Sequence, residues 1–188
     1  MNPKGDPEPQ GRIPGRQALA QTESLSHCPD FDSLMLYDLA LHKLPENFEI
    51  HSKLKRQFAK RAQSFEKGIN LDWAHAESLA FASILDAGIS VRLTGQDSER
   101  GTFSHRHSVL HDVTNDENYT PLKNIVDPKK ASFSVLNSPL SEEAALGFEY
   151  GYSVYAPDTL VIWEAQFGDF INNAQAVVDE LIVSAQAK

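Results

Sequence analysis

From Asp32 onward, Leu34, Leu36, Leu39, Leu41 and Leu44 recur near helical spacing. The pattern predicts a first helix, with Asp32 or Ser33 as its N-cap and Pro45 as its stop. LPENFEIH reads as a turn and an extended connector. KLKRQFAKRAQSFEKG reads as a strongly charged second helix ended by Gly68. A third helix, WAHAESLAFASILDAG, starts on Asp72 as its cap and packs Ala76, Leu79, Ala80, Ser83 and Ile84 inward. Gly88 ends it, and Ile89–Thr94 then reads as a buried strand. The polar, proline-broken stretch VTNDENYTPLKNIVDPKKAS predicts an excursion over the surface. FSVLN predicts a short strand, SPLSEEAALGFEYGYSVYA a helix capped by Ser141, TLVIWEA a strand, and DFINNAQAVVDELIVSAQ a closing helix.

This order implies an α/β fold with a mainly parallel sheet, preceded by helices. Ligands in such sheets sit beyond the carboxyl ends of the strands. Two loops therefore matter: GQDSERGTFSHRH after the first strand, and EAQFGDF after the last. So few strands would leave sheet edges and helix faces uncovered, which predicts association of the chain or a need for a partner. Gly147 and Gly151 lie one turn apart and predict close packing on their helix.

The 188 residues suit one domain, or one domain with a tail, and a hydrophobic content of 41% suffices for a core. Five of ten prolines lie at or before Pro29 and three of ten glycines at or before Gly15, so residues 1–30 read as a disordered tail. The net charge of −9 argues against nucleic acid and anionic membranes as partners, because both need a positive field. It leaves phosphate ligands open, since backbone groups and metals can hold them. The basic run Lys53, Lys55, Arg56, Lys60 and Arg61 reads as a solvated helix face or a docking surface. No apolar run approaches the ~20 residues of a membrane span. Cys28 stands alone, and no apolar signal-peptide core opens the chain, so a cytoplasmic location is expected.

Three groupings carry candidate chemistry. Ser141-Glu142-Glu143 opens a helix, where carboxylates are favoured by the dipole whether or not one points into a cleft. Trp163 to Phe170 places aromatics, an amide and a glycine just after a strand, a set that can stack on a flat heterocycle or simply fill core. His105, His107, His111 and Asp112 form a loose metal-ligand pattern, with the positive Arg106 in their midst. No P-loop, dinucleotide-binding or nucleophile-elbow motif is present.

VRLTGQDSERGTFSHRH, LNSPLSEEAALGFEYGYS and LVIWEAQFGDFINNAQAVVDE occur in this order and together resemble the decarboxylating, thiamine-diphosphate-dependent component of the 2-oxoglutarate dehydrogenase complex. Relatives acting on 2-oxoadipate look similar. The resemblance covers residues from about Pro45 to Lys188. It implies that 31–68 is a helical connecting segment and 69–188 the first part of a transketolase-like pyrimidine-binding domain. It implies thiamine diphosphate as cofactor, with Mg2+ held by a domain outside this chain. Gly95-Gln96-Asp97 is not that domain's G-D-G signature, and Asn172-Asn173 stand apart from it in a helix.

The cofactor's own aminopyrimidine acts as the base in that family, and a carboxyl group must hydrogen-bond its ring nitrogen. The resemblance gives this role to Glu142, with Glu143 as an exposed neighbour. It assigns cofactor contacts to Gln166, Phe167 and Phe170, places Gln96 toward the reacting centre, and sets His105 and His107 beside a substrate channel. It further implies 2-oxoglutarate as substrate, a homodimer, and a lipoyl-bearing succinyltransferase as partner, with the isolated chain inactive. The alternatives are a half-site chain completed by a separate diphosphate-binding subunit, and a non-catalytic interaction module.

Overall fold

The computed structural model describes residues 28–68 and 71–184. Most of the expected N-terminal tail lies outside them. Helix α1 (Phe31–His42) starts on Asp30, whose carboxylate accepts from the amide of Ser33 at 2.8 Å. The cap thus lies two or three residues before the predicted one. Leu36 and Leu39 are 66% and 63% exposed, and the buried positions of α1 are Asp38 and Leu41. The leucine spacing misled because its inward face is partly polar.

Helix α2 (Ser52–Glu66) turns Phe65 and Arg61 inward. Arg61 is therefore no part of a solvated face: it donates to both carboxylate oxygens of Asp72 and to the carbonyl of His105. Lys53, Lys55, Arg56 and Lys60 are exposed. Helix α3 (Trp73–Asp86) is capped by Asp72, as its sequence predicts. It buries Ala74, His75, Leu79, Phe81, Ala82 and Leu85, while Ala80 is exposed. Gly88, at φ +84°, closes it.

The main sheet has three parallel strands in the order β4–β1–β5, from β1 (Ser90–Gly95), β4 (Phe133–Asn137) and β5 (Thr159–Glu164). Side chains alternate across it. Val91, Leu93, Phe133 and Val135 join Leu79, Phe81, Ala82 and Leu85 of α3 in the main core. Arg92 points to the opposite face, where its guanidinium grips Glu149 of α4 (Glu142–Tyr155) at 2.7 and 2.9 Å. Helices thus cover both faces, as in α/β folds with parallel sheets.

A short antiparallel pair, β2 (Leu110–His111) and β3 (Asn118–Tyr119), interrupts the crossover between β1 and β4. Leu110 packs with Phe48 and Ile50 in a separate cluster. The predicted surface excursion also buries Leu122 and Ala131 in the main core. Proline and charge around them hid two anchor residues.

The predicted closing helix is broken. Gly168–Ala174 winds as a 3-10 helix, α5 (Gln175–Val177) makes less than one turn, and Val178–Val183 is π-helical. Ala174 and Val177 pack on Leu146 of α4, but no residue of 178–183 is buried. Beyond Val178, which still touches that cluster, no buried residue holds one face inward, and the backbone is not confined to the α pattern. Gly147 faces Val177 in ordinary contact, whereas Gly151 faces open space. Phe148, Val154 and Tyr155 are exposed on α4. No helix among the described residues is long and apolar enough to cross a membrane.

Candidate functional site

The carboxyl ends of the three parallel strands deliver the candidate residues. Strand β1 ends at Gly95 and leads into Gln96 and Asp97; β5 ends at Glu164 and leads into Gln166. A Cβ on Gly95 would lie 2.4 Å from the carbonyl oxygen of Glu164 and 2.6 Å from the Ser98 hydroxyl. Glycine is required there for the two strand ends to run this close.

Glu142 is the first residue of α4, behind the Ser141 cap. One carboxylate oxygen accepts from the Gln96 amide at 3.2 Å, and the other from the Asn173 amide at 3.3 Å. Glu143 beside it is exposed. The Gln166 amide nitrogen donates to Asp97 at 2.9 Å. Its carbonyl oxygen is buried and has no hydrogen-bond partner. The hydrogen bond from Gln166 holds the Asp97 carboxyl below its ordinary range; burial pushes the other way, and the charge and hydrogen bond of Arg100 add to the lowering. Gln96, Glu142 and Gln166 line one narrow cleft of about 10 Å³ together with Gly95, Trp163 and Leu140. A carboxylate and an orphaned carbonyl oxygen are both acceptors, so the cleft suits a planar ligand edge with ring N–H or amino donors.

Phe167 and Phe170 do not line that cleft. They pair with each other at 6.4 Å between ring centroids, and Phe167 meets Phe103 edge-on at 6.0 Å. Phe103 is 76% exposed, so the aromatic group opens to solvent. Two residues escaped the sequence reading. Phe103 lies 64 positions from its partner Phe167, and Asn173 reaches Glu142 although Asn172-Asn173 read as remote.

The loop after β1 is held by Arg106, which is almost fully buried. Its guanidinium donates to Glu77 of α3 at 2.7 and 3.2 Å, to Glu164 at 2.8 Å twice, and to the Ser98 carbonyl at 2.9 Å. Burial pushes the Glu164 carboxyl up, but its bonds to Arg106 outweigh that and hold it below its ordinary value. The loop is tightly wound. Ser104 and His107 adopt positive φ, and a Cβ on Gly101 would lie 2.5 Å from the His105 ring. Burial, and then the nearby Arg61 and Arg100, push the His107 imidazole below its ordinary value, although its bond to the Ser104 carbonyl opposes this.

The histidine-rich stretch does not converge on a metal. His105 packs over Gly101, His107 bonds the Ser104 carbonyl, and Asp112 accepts from the amides of Glu49 and Thr114. Among the described residues, the histidines and acids whose ligand atoms converge are Asp38, His42 and His75. His107 instead lines a cavity of about 630 Å³ with Lys53, Arg100, His111 and Asp97. His105 is not on its wall.

Known proteins are similar to this chain over most of its length. The chain is 57% identical over 148 residues to the "2-oxoglutarate dehydrogenase E1 component" of Geobacillus kaustophilus (strain HTA426), which covers 79% of this chain and 16% of that protein. It is 51% identical over 166 residues to the protein of the same name from Bacillus cereus (strain B4264), covering 88% of this chain and 17% of the relative. The counterpart from Bacillus anthracis (strain A0248) is 52% identical over 159 residues, covering 85% and 16%. The chain therefore spans about one sixth of the length of these relatives. Residues 70–188 match the family described as "Transketolase, pyrimidine binding domain". With that match lying over the parallel sheet and the Glu142 cleft at its carboxyl end, the chain belongs to the transketolase pyrimidine-binding domain family.

Proposed function

We propose that this chain supplies the pyrimidine-binding part of a thiamine-diphosphate-dependent 2-oxoglutarate dehydrogenase, decarboxylating component. The observation that carries the reading is the convergence of Glu142, Gln96 and the unpartnered Gln166 carbonyl on one cleft. Thiamine diphosphate, when bound, supplies an electron sink for loss of carbon dioxide from a 2-oxo acid. The chain's residues fit its pyrimidine. The cleft admits only a ring edge, which is where hydrogen bonds to a heterocycle are made. Glu142, whose carboxylate is held by the Gln96 and Asn173 amides, would hydrogen-bond the ring nitrogen and supply proton-transfer assistance there. The Gln166 carbonyl would accept from the amino group; Phe167 and Phe170 lie outside this cleft.

The larger cavity beyond Asp97 has Lys53, Arg100 and His107 on its wall beside Asp97, Glu99 and Asp112, so it offers an anionic substrate local cationic contacts and not a uniformly positive field. On this reading residues 31–68 are a connecting segment and 69–188 the first part of the domain. Diphosphate and Mg2+ are held elsewhere in a full-length cytoplasmic enzyme, which is a homodimer serving a lipoyl-bearing succinyltransferase.

A chimera tests this. Residues 28–188 replace the matching segment of the Geobacillus relative, and 2-oxoglutarate-dependent decarboxylation is measured with thiamine diphosphate and Mg2+. The chimera is expected to be active and its Glu142→Gln form at least ~10²-fold slower, from lost proton-transfer assistance. An inactive but folded chimera, or full activity in the variant, would overturn the proposal.

A further inference from the structure

We infer that Asp38, His42 and His75 form a zinc-class metal site that clamps α1 to α3. His75 Nε2 lies 2.7 Å and His42 Nδ1 3.2 Å from the same oxygen of Asp38; His42 Nδ1 also bonds the Asp38 backbone carbonyl at 2.8 Å, a bond it would exchange for the metal. The three ligand atoms all lie within 4.8 Å of one another. Metal–ligand bonds of about 2.0–2.2 Å put neighbouring donors roughly 3.3 Å apart in a tetrahedral site, so an ion fits after an opening of about half an ångström. Asp38 and His42 stand one helical turn apart on α1, and His75 comes from α3. The two rings meet edge-on at 5.4 Å, with Phe58 and Phe65 packed against them.

Charge distinguishes this cluster from an ordinary buried hydrogen-bond group. The Asp38 and His75 side chains are 8% and 2% exposed. Among the described residues, Asp38 is partnered by these two imidazoles alone. Two imidazoles hydrogen-bond this carboxylate but carry no fixed charge to set against it. Arg61 and Arg106, which share a cavity wall with His42 and His75, are committed elsewhere: Arg61 to Asp72 and the His105 carbonyl, Arg106 to Glu77 and Glu164. A divalent ion supplies the missing charge. Two imidazoles and one carboxylate are borderline donors that suit zinc better than magnesium or calcium. A cavity of about 30 Å³ bordered by His42 and His75, with Arg61 and Arg106 also on its wall, is large enough for one water.

The 188-residue chain, stripped with chelator and re-equilibrated with zinc chloride, is expected to retain one zinc per chain. Cobalt(II) in its place should give the visible absorption of a four- or five-coordinate ion. Zinc should raise the melting temperature of the wild type but not of Asp38→Asn or His75→Gln. His42→Gln, at the more exposed ligand, keeps the test valid if either of those fails to fold. His111→Gln should retain zinc. Absence of bound zinc in the wild type, undiminished zinc in folded His42→Gln, or loss of zinc in His111→Gln would each overturn the assignment.

Discussion

Arg106 offers the sharpest test of how the site loop is held. Its guanidinium makes five hydrogen bonds, two to each of two carboxylates and one to the Ser98 carbonyl. Truncation to alanine leaves Glu77 and Glu164 as like charges facing a void, with side chains only 34% and 24% exposed. Removing one partner of a buried ion pair costs about 3–5 kcal/mol. Partial access of water to both carboxylates places Arg106→Ala at the lower end, about 3 kcal/mol. Arg106→Lys keeps the charge but replaces a planar fork by a point donor with three protons. It forfeits at least two bonds, at about 1 kcal/mol each. The assay is urea unfolding of the 188-residue chain, with an unchanged denaturant slope as the condition for comparing stabilities. Glu77→Gln combined with Arg106→Ala should recover part of the loss, because one of the stranded charges is gone. A loss under ~1 kcal/mol for Arg106→Ala, or no recovery in the double variant, would refute the claim that this arginine ties α3, the β1 loop and the end of β5 together.

Arg92→Ala should destabilise the chain by about 3–5 kcal/mol, since it strands the buried Glu149 and removes a cation stacked 4.6 Å over Tyr152; Arg92→Met should cost less in Glu149→Leu than in wild type, measured by thermal unfolding. Gly95→Ala should cost upwards of ~2 kcal/mol, because its methyl would meet backbone at 2.4 Å; an unchanged melting temperature would contradict the close passage of β1 and β5. Burial pushes the Asp38 carboxyl up, but hydrogen bonds from His42 and His75 outweigh it and hold the pKa at about 2, against 3.8 for a free carboxyl. A depressed pKa stabilises the fold above the unfolded value and loses that stability as pH falls through the folded one. In chelator-treated chain, about 2 kcal/mol should therefore disappear between pH ~4 and ~2, and Asp38→Asn should abolish that part of the slope.

Elements whose burial is apolar were legible in the sequence. Phe133–Asn137 forms the strand that FSVLN predicts, and the caps Asp72 and Ser141 sit where their residue types put them. Errors gathered where polar residues face inward. Helix α1 turns Asp38 inward and leaves Leu36 and Leu39 in water, which reverses the reading that its leucines invite. The charged α2 hides Arg61, because Asp72 lies within reach only once α3 has folded beside it. Such pairings are facts about two distant positions, and no period along one helix encodes them.

The site divides along the same line. Glu142, Gln96 and Gln166 were identified through long motifs, and they share one cleft because parallel strands deliver their loops to a common end. Arg106 was read as a charge that would repel a metal, yet it draws in Glu77 and Glu164. Glu164 lies two residues before Gln166, and Ser98 two residues after Gln96. One guanidinium therefore sets the spacing of the two loops that carry the amides of the cleft. Side-chain bonding of this kind is rigid where loops alone would be mobile, and a ligand meeting Gln96 and Gln166 needs little further ordering of either. The positive φ of Ser104 and His107 fits that account, since strained backbone persists only where its surroundings over-determine it. Here Arg106 fixes one side of the turn, and Arg61, through the His105 carbonyl, fixes the other.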